Sequence, residues 1–382
     1  MGSENKVKRG RPGAQNPGRM IGHGMNIEDF LEITKRTECD CYCVGPQGYI
    51  PTPEDEREDF VEVCVEVGDR NAAYAAKEEA AGHLVTAEHF YGRATACYRL
   101  ADYGIQGITE EKLEVYKKIP ETFKKQYALS RDHVEPVEVP FGDTSMPAYF
   151  AIPEGTPADS PVMVFIPGAT GFKEENFSSA WYFFERGIPF IIFDGPGQGE
   201  SLYYRDIYLT PTNYVDAVKA VIDFVKADPR VGSKVALYGI SFGGFLATQA
   251  ACELNDDLSG LIVRGGTDKA DELTKHPWMG IPNFYLGGFL SKFGTDDVEL
   301  AGRLSTEMDC TEKLGNITAP LLIIHSEEDP IQGVEGAKRI YAGVSSTDKL
   351  YSEWPGNTHC VDDQHDTVSS LAADWMAERL LG

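Results

Sequence analysis

No stretch of this 382-residue sequence approaches the ~20 consecutive apolar residues a spanning helix needs, which excludes a helical membrane protein. The basic start, MGSENKVKRGRPGAQNPGRM, has no apolar segment behind it and does not read as a secretory signal. Lys6 stands where a myristoylation site needs Ser or Thr. Basic residues are scarce: 35 Lys and Arg against 60 Asp and Glu give a formal charge of −25. A phosphate backbone attracts positive surfaces, so the balance argues against a generic nucleic-acid binder, and a highly anionic substrate would need a local basic pocket. The 8 cysteines show no C-x-x-C pair; Cys39, Cys41 and Cys43 alternate without the spacing of a zinc site. With no export signal, a cytoplasmic protein with free thiols is expected. GATGFK lacks the Gly-Lys-Ser/Thr ending of a phosphate loop, and no dinucleotide fingerprint precedes a helix.

What the chain does hold is a change of texture near residue 133. At ~150 residues per domain the length suits two or three domains, or one large domain with an added part. Residues 1–24 are rich in basic charge and read as a solvated, disordered tail, with docking onto the protein's own acidic body or onto a partner subunit as the alternative. Residues 25–132 read as helical. Gly82 breaks NAAYAAKEEAAGHLVTAEHFYGRATACYRLADY into helices over roughly 71–81 and 85–103. Thr109 is placed to cap a third, amphipathic segment, with Glu110 and Glu111 in its first turn.

From 133 to 382, short apolar runs alternate with helical stretches. VEPVEV and PAYFAI flank a predicted hairpin turn at 141–145; PVMVFIP, IPFIIFD, KVALYG, SGLIVRG, PLLIIHS and KLYSEW follow. Such runs predict a mostly parallel sheet covered by helices on both faces, with chemistry at the carboxyl ends of the strands.

Three strand ends carry candidate chemistry. Gly239-Ile240-Ser241-Phe242-Gly243 lies between the strand KVALY and the helical run FLATQAACEL. A serine on so sharp a turn needs small residues two positions to either side, is exposed above the sheet, and has a following amide able to donate to an oxyanion. Asp329, after LLIIHS, and His359, after KLYSEW, then supply an acid and a base in the chain order serine, acid, histidine. Glu327 and Glu328 are weaker acid candidates. Among other histidines, His325 precedes the acid and reads as a packing or pocket residue, His365 as an exposed helix start, and His276 as a possible pocket residue. The oxyanion hole is assigned to the amides of Phe242 and Ala169, with Thr170 as the alternative to Ala169.

At these residues the chain resembles the α/β-hydrolase fold. Asp194-Gly195-Pro196-Gly197-Gln198-Gly199-Glu200-Ser201, together with Gly168, Lys173-Glu174-Glu175 and the helical segment EEAAGHLVTAEHFYGRATACYRLADY, makes it similar to the group containing 2,6-dihydroxypseudooxynicotine hydrolase and related fungal polyketide-shortening hydrolases. The resemblance covers roughly residues 70–382. It implies hydrolysis of a carbon–carbon bond next to a ketone, and a further carboxyl that assists the departing carbanion. In RGGTDKADEL the resemblance offers Asp268, Asp271 and Glu272, of which Glu272 is carried over; the alternative for all three is a solvated acidic loop.

The roughly fifty residues at 267–318 exceed an ordinary connection and contain Trp278, Phe284, Tyr285, Phe289 and Phe293. They read as an inserted cap walling an apolar pocket, or as core packing of an inserted helix. The expected ligand is a small aromatic or apolar ketone. No metal or organic cofactor is required, and an exposed apolar face on the helical region would suggest a homodimer. A carboxylesterase or acyl-peptide hydrolase using the same three residues without the extra carboxyl is the alternative.

Overall fold

The computed structural model describes residues 8–12, 15–38, 53–270 and 290–382. The chain divides into two compact units, Met1–Arg131 and Asp132–Gly382. No helix among the described residues is long and apolar enough to cross a membrane.

The first unit is helical: α1 (Pro17–Gly22), α2 (Ile27–Thr37), α3 (Phe60–Ala80), α4 (Leu84–Gly104) and α5 (Glu110–Leu129). Its core gathers Phe30, Ile33, Phe60, Cys64, Val67, Cys97 and Leu100. Thr109 accepts from the Lys112 amide at 3.1 Å and so caps α5. Helix α3 begins well before the 71 expected. Its first half, FVEVCVEVGD, is rich in β-branched residues with low helix propensity, but Asp59 caps it at the Glu62 amide and burial of Phe60, Val63, Cys64 and Val67 overrides that propensity.

The reading of 1–24 as a disordered tail is corrected for the residues described there. Asn16 caps α1 through the Arg19 amide. Arg9 binds Asp59 (3.0 Å) and Glu111 (2.9 Å), Arg11 binds Glu38, and Arg19 reaches the Tyr103 hydroxyl at 2.6 Å. Arg9 and Arg11 are held by carboxylates that the sequence places up to 102 positions away.

The second unit is built on one eight-stranded sheet: β1 (Val134–Phe141), β2 (Thr144–Ala151), β3 (Val162–Ile166), β4 (Phe190–Phe193), β5 (Val235–Ile240), β6 (Leu258–Arg264), β7 (Leu321–Ser326) and β8 (Lys349–Trp354). Their order is β1-β2-β4-β3-β5-β6-β7-β8. The β1–β2 hairpin turns at Gly142-Asp143, and β2 pairs antiparallel with β4; every later pairing is parallel. Every residue of β3, β5 and β7 is buried, as strands covered on both faces require, whereas edge strands β1 and β8 are half-exposed.

Connecting helices are α6 (Lys173–Phe184), α7 (Gly199–Arg205), α8 (Asn213–Lys226), α9 (Phe242–Leu254), α10 (Val298–Thr306), α11 (Val334–Gly343) and α12 (His365–Leu380). After β3 the chain crosses to β4 on one side, and from β4 it returns to β5 on the other. The carboxyl ends of β3 and β5 therefore flank the point where strand order reverses, the crevice in which such sheets bind ligands.

Candidate active site

Ser241 occupies the turn between β5 and α9 with φ 58° and ψ −125°, a conformation that costs energy for a non-glycine residue. The turn closes because its neighbours lack side chains. A Cβ on Gly239 would lie 2.1 Å from the Gly243 carbonyl oxygen, and one on Gly243 would lie 2.2 Å from that of Ile166. The Ser241 amide donates to the Arg264 carbonyl on β6 at 2.8 Å, which fixes the turn to the sheet.

His359, beyond β8, places Nε2 2.7 Å from Ser241 Oγ. Its Nδ1 meets both oxygens of Asp329, at 2.9 and 2.8 Å. The carboxylate accepts three more bonds, from the amides of Ile331 and Gln332 (2.9 Å each) and of Cys360 (3.2 Å). Burial alone would raise the Asp329 carboxyl, but the facing His359 and these donors hold it below its ordinary value. Burial would likewise push the imidazole down; the opposed Asp329 charge overrides that and holds His359 well above an ordinary histidine. With Nδ1 on Asp329 and Nε2 on Ser241, the imidazole has the geometry that a proton transfer from the hydroxyl requires.

The loop after β3 runs beside the serine: a Cβ on Gly168 would lie 3.2 Å from Ser241 Cβ. The next amide, Ala169, is buried and donates to no protein acceptor among the described residues. This loop is fastened at both ends by the β4–α7 connection. Gln198 Nε2 donates to the carbonyls of Pro167 (2.7 Å) and Gly168 (3.2 Å), and Asp194 Oδ1 accepts from the Lys173 amide at 2.8 Å. The Lys173 ammonium is fully buried among Asp194 (2.8 Å), Glu200 (2.6 Å) and Glu174 (3.1 Å). Burial opposes its charge, and the three carboxylates more than restore it, holding the lysine protonated.

Other sequence candidates separate clearly. Glu272, Asp271, His276, Trp278, Phe284, Tyr285 and Phe289 lie outside the described residues. Asp268 is not in a solvated loop: it is fully buried and spent on Arg339 (2.6 Å) and the Thr311 hydroxyl (2.8 Å). Phe293 is buried in the core of the second unit. The Glu327 and Glu328 amides donate to the carbonyls of Trp354 and Gly356, while the His359 imidazole meets Asp329 instead. His325 is buried, its Nδ1 on the Ser326 carbonyl at 2.9 Å, and burial lowers its pKa. His365 begins α12 but is buried, not exposed.

Sequence reasoning missed Arg264. This residue is fully buried at the end of β6; its carbonyl takes the Ser241 amide, and its Nε donates to the Cys360 carbonyl at 2.6 Å. It thus ties the serine turn to the loop carrying His359, where Cys360 and Val361 both adopt left-handed φ, 58° and 54°. The only sequence signal was a lone arginine ending an otherwise apolar strand.

Comparison with known proteins fits this architecture. The profile described as the alpha/beta hydrolase family matches residues 163–371. A 2,6-dihydropseudooxynicotine hydrolase from Paenarthrobacter nicotinovorans is 28% identical over 265 residues, 67% of this chain and 67% of its own length. The hydrolyase poxO of Penicillium oxalicum is 26% identical over 228 residues, 55% of this chain; the chain spans about half of that relative's length, 52%. A crystal structure of 2,6-dihydroxy-pseudo-oxynicotine hydrolase superposes with a TM-score of 0.80 over 96% of both chains at 21% identity, a likeness of fold.

Proposed function

The chain belongs to the alpha/beta hydrolase family, and from that premise we propose that it is a serine-dependent hydrolase cleaving a carbon–carbon bond next to a ketone in an aromatic or polyketide-like substrate. The observation that carries the serine reading is the continuous line from Asp329 through His359 to the Ser241 hydroxyl, each link within 2.9 Å.

In this reading Ser241 Oγ attacks the ketone carbon while His359 Nε2 takes its proton. The Phe242 and Ala169 amides hold the oxyanion. Collapse breaks the carbon–carbon bond; the bonding pair leaves as an enolate or other stabilised carbanion, which is protonated by the imidazolium. Water activated by His359 then hydrolyses the acyl-serine. Asp329 keeps the proton of the resting imidazole on Nδ1 and stabilises the charge that forms. The choice of a carbon–carbon bond rests on the similarity to the dihydropseudooxynicotine hydrolase. Glu272 is the proposed aid to the leaving carbon, and residues 267–318 the proposed cap.

A second reading, a carboxylesterase or acyl-peptide hydrolase, has one observation in its favour. Asp268, a carboxyl near the end of β6, is already committed to Arg339, and ester or amide cleavage needs no further acid than the three side chains. Turnover of a panel of aryl β-diketones, p-nitrophenyl esters and aminoacyl amides separates the two. Ketone cleavage lost in Ser241→Ala supports the first; rapid ester turnover with no ketone cleavage rejects it.

A further inference from the structure

The Asp194–Ser201 segment has no part in the proton relay, yet its polar side chains converge on the loop assigned to the oxyanion. Gln198 is 2% exposed, and its side-chain amide makes four hydrogen bonds inside the protein. Nε2 donates to the Pro167 and Gly168 carbonyls. Oε1 accepts from the Gly195 amide at 3.2 Å and from the Tyr214 hydroxyl at 2.6 Å. Chemistry fixes this orientation of the amide: a backbone N–H only donates and the two carbonyls only accept, so exchanging N and O would oppose like groups at three of the four contacts. Gly195 makes room for the support, since a Cβ there would lie 2.6 Å from the Tyr214 ring.

The bond to Gly168 has a directional consequence. The Gly168 carbonyl and the Ala169 N–H are the two ends of one planar trans peptide and point in opposite directions. Holding the oxygen toward Gln198 turns the Ala169 N–H away from it, and that donor has no protein acceptor among the described residues. The Gly171 amide also donates to the Gly168 oxygen, at 3.2 Å; released from Gln198, the peptide keeps that single turn bond and can rotate about it, swinging the donor off its target. Beside Ser241, that rotation would replace an N–H by a carbonyl oxygen that repels developing negative charge.

We infer that Gln198, oriented by Tyr214, is the positioning residue that aims the Ala169 amide at the oxyanion. The inference rests on the serine-hydrolase reading and assigns a task to the Asp194–Ser201 motif. Gln198 touches no substrate atom in this scheme; it acts through the peptide it holds.

The test measures Gln198→Met, which keeps the length of the side chain and removes its donors, beside Tyr214→Phe, which keeps Gln198 and removes its orienting hydroxyl. Ester turnover is normalised to sites titrated with a fluorophosphonate, so that loss of folded protein does not count as loss of rate. Expected for Gln198→Met is a kcat lower by about 10- to 100-fold, KM within about 2-fold, and an unmoved pH profile, since a single oxyanion donor carries about 100- to 1000-fold. Affinity for an aryl boronic acid, which forms a tetrahedral adduct, should weaken by the same factor. For Tyr214→Phe the loss should be about 3- to 10-fold in the same pattern. A purely structural role would lower the number of titratable sites and leave kcat per site and boronate affinity unchanged, which overturns the inference. If Gln198→Met does not fold, Tyr214→Phe decides by the same two readouts. Wild-type protein that takes no label at Ser241 overturns the serine reading and this inference together; labelled protein with unaltered variants overturns the inference alone.

Discussion

Replacing Asp329 by asparagine removes one charge and no atom of bulk, and the hydrogen bonds around it dictate how the new amide must sit. Oδ1 accepts from the Ile331 and Gln332 amides, at 2.9 Å each, so the asparagine oxygen is held there. The NH2 then takes the place of Oδ2, where it faces His359 Nδ1 at 2.8 Å and the Cys360 amide at 3.2 Å. Nδ1 also lies 2.9 Å from the Oδ1 position, but the NH2 is nearer, at 2.8 Å, and against that donor Nδ1 is better satisfied as a bare acceptor, which moves the ring proton to Nε2. There it points at Ser241 Oγ, 2.7 Å away, and Nε2 can no longer accept the hydroxyl proton. Turning the amide over would oppose two N–H groups at Oδ1, a penalty of about 1–3 kcal/mol each. Adding the lost stabilisation of the imidazolium brings the total to about 5 kcal/mol, or ~10⁴-fold in kcat. The assay is ester or ketone turnover per folded molecule from about pH 5 to pH 9, with folding checked by circular dichroism. A loss under ~10-fold, with the acid limb of the profile unmoved, would refute the assigned tautomer and the role of Asp329.

In the unaltered protein His359 must be neutral to accept a proton, and its pKa is held well above the ordinary 6.5. Activity should therefore fall as pH drops through that raised value, so the acid limb of kcat/KM should lie above 6.5; a limb at or below it contradicts the pairing. Gly243→Ala should leave little soluble protein or cost about 3 kcal/mol or more in urea unfolding, because the methyl would meet the Ile166 carbonyl at 2.2 Å. Arg264→Leu should destabilise the fold by about 3–5 kcal/mol, through loss of the buried pair with Asp362 at 3.1 Å and of the donor to Cys360. It should also lower kcat; wild-type stability and rate would show that the tie between the two loops does no work.

The strands were legible because burial on both faces demands near-continuous apolar runs, and VMVFI, VALYGI and LLIIHS admit little else. Ser241, Asp329 and His359 stood out for a related reason: each lies within a few residues of a strand's carboxyl end, and the serine turn needs its flanking glycines for steric room. What escaped depends on partners distant in sequence. Arg9 is ordered by Asp59 and Glu111, Asp268 is neutralised by Arg339, and Gln198 works on carbonyls some thirty residues earlier; no local pattern encodes these pairings. The first half of α3 was hidden differently. Its valines favour a strand locally, and only packing against Phe30 and Cys97 in the helical core makes it a helix.

The central claim is that Ser241 is the nucleophile, activated by His359. Peptide mass spectrometry after treatment with a fluorophosphonate tests it most directly. The expected result is one adduct, on Ser241, absent from Ser241→Ala and formed far more slowly in His359→Ala. Folded protein that carries no adduct, or carries it on another residue, would contradict the claim.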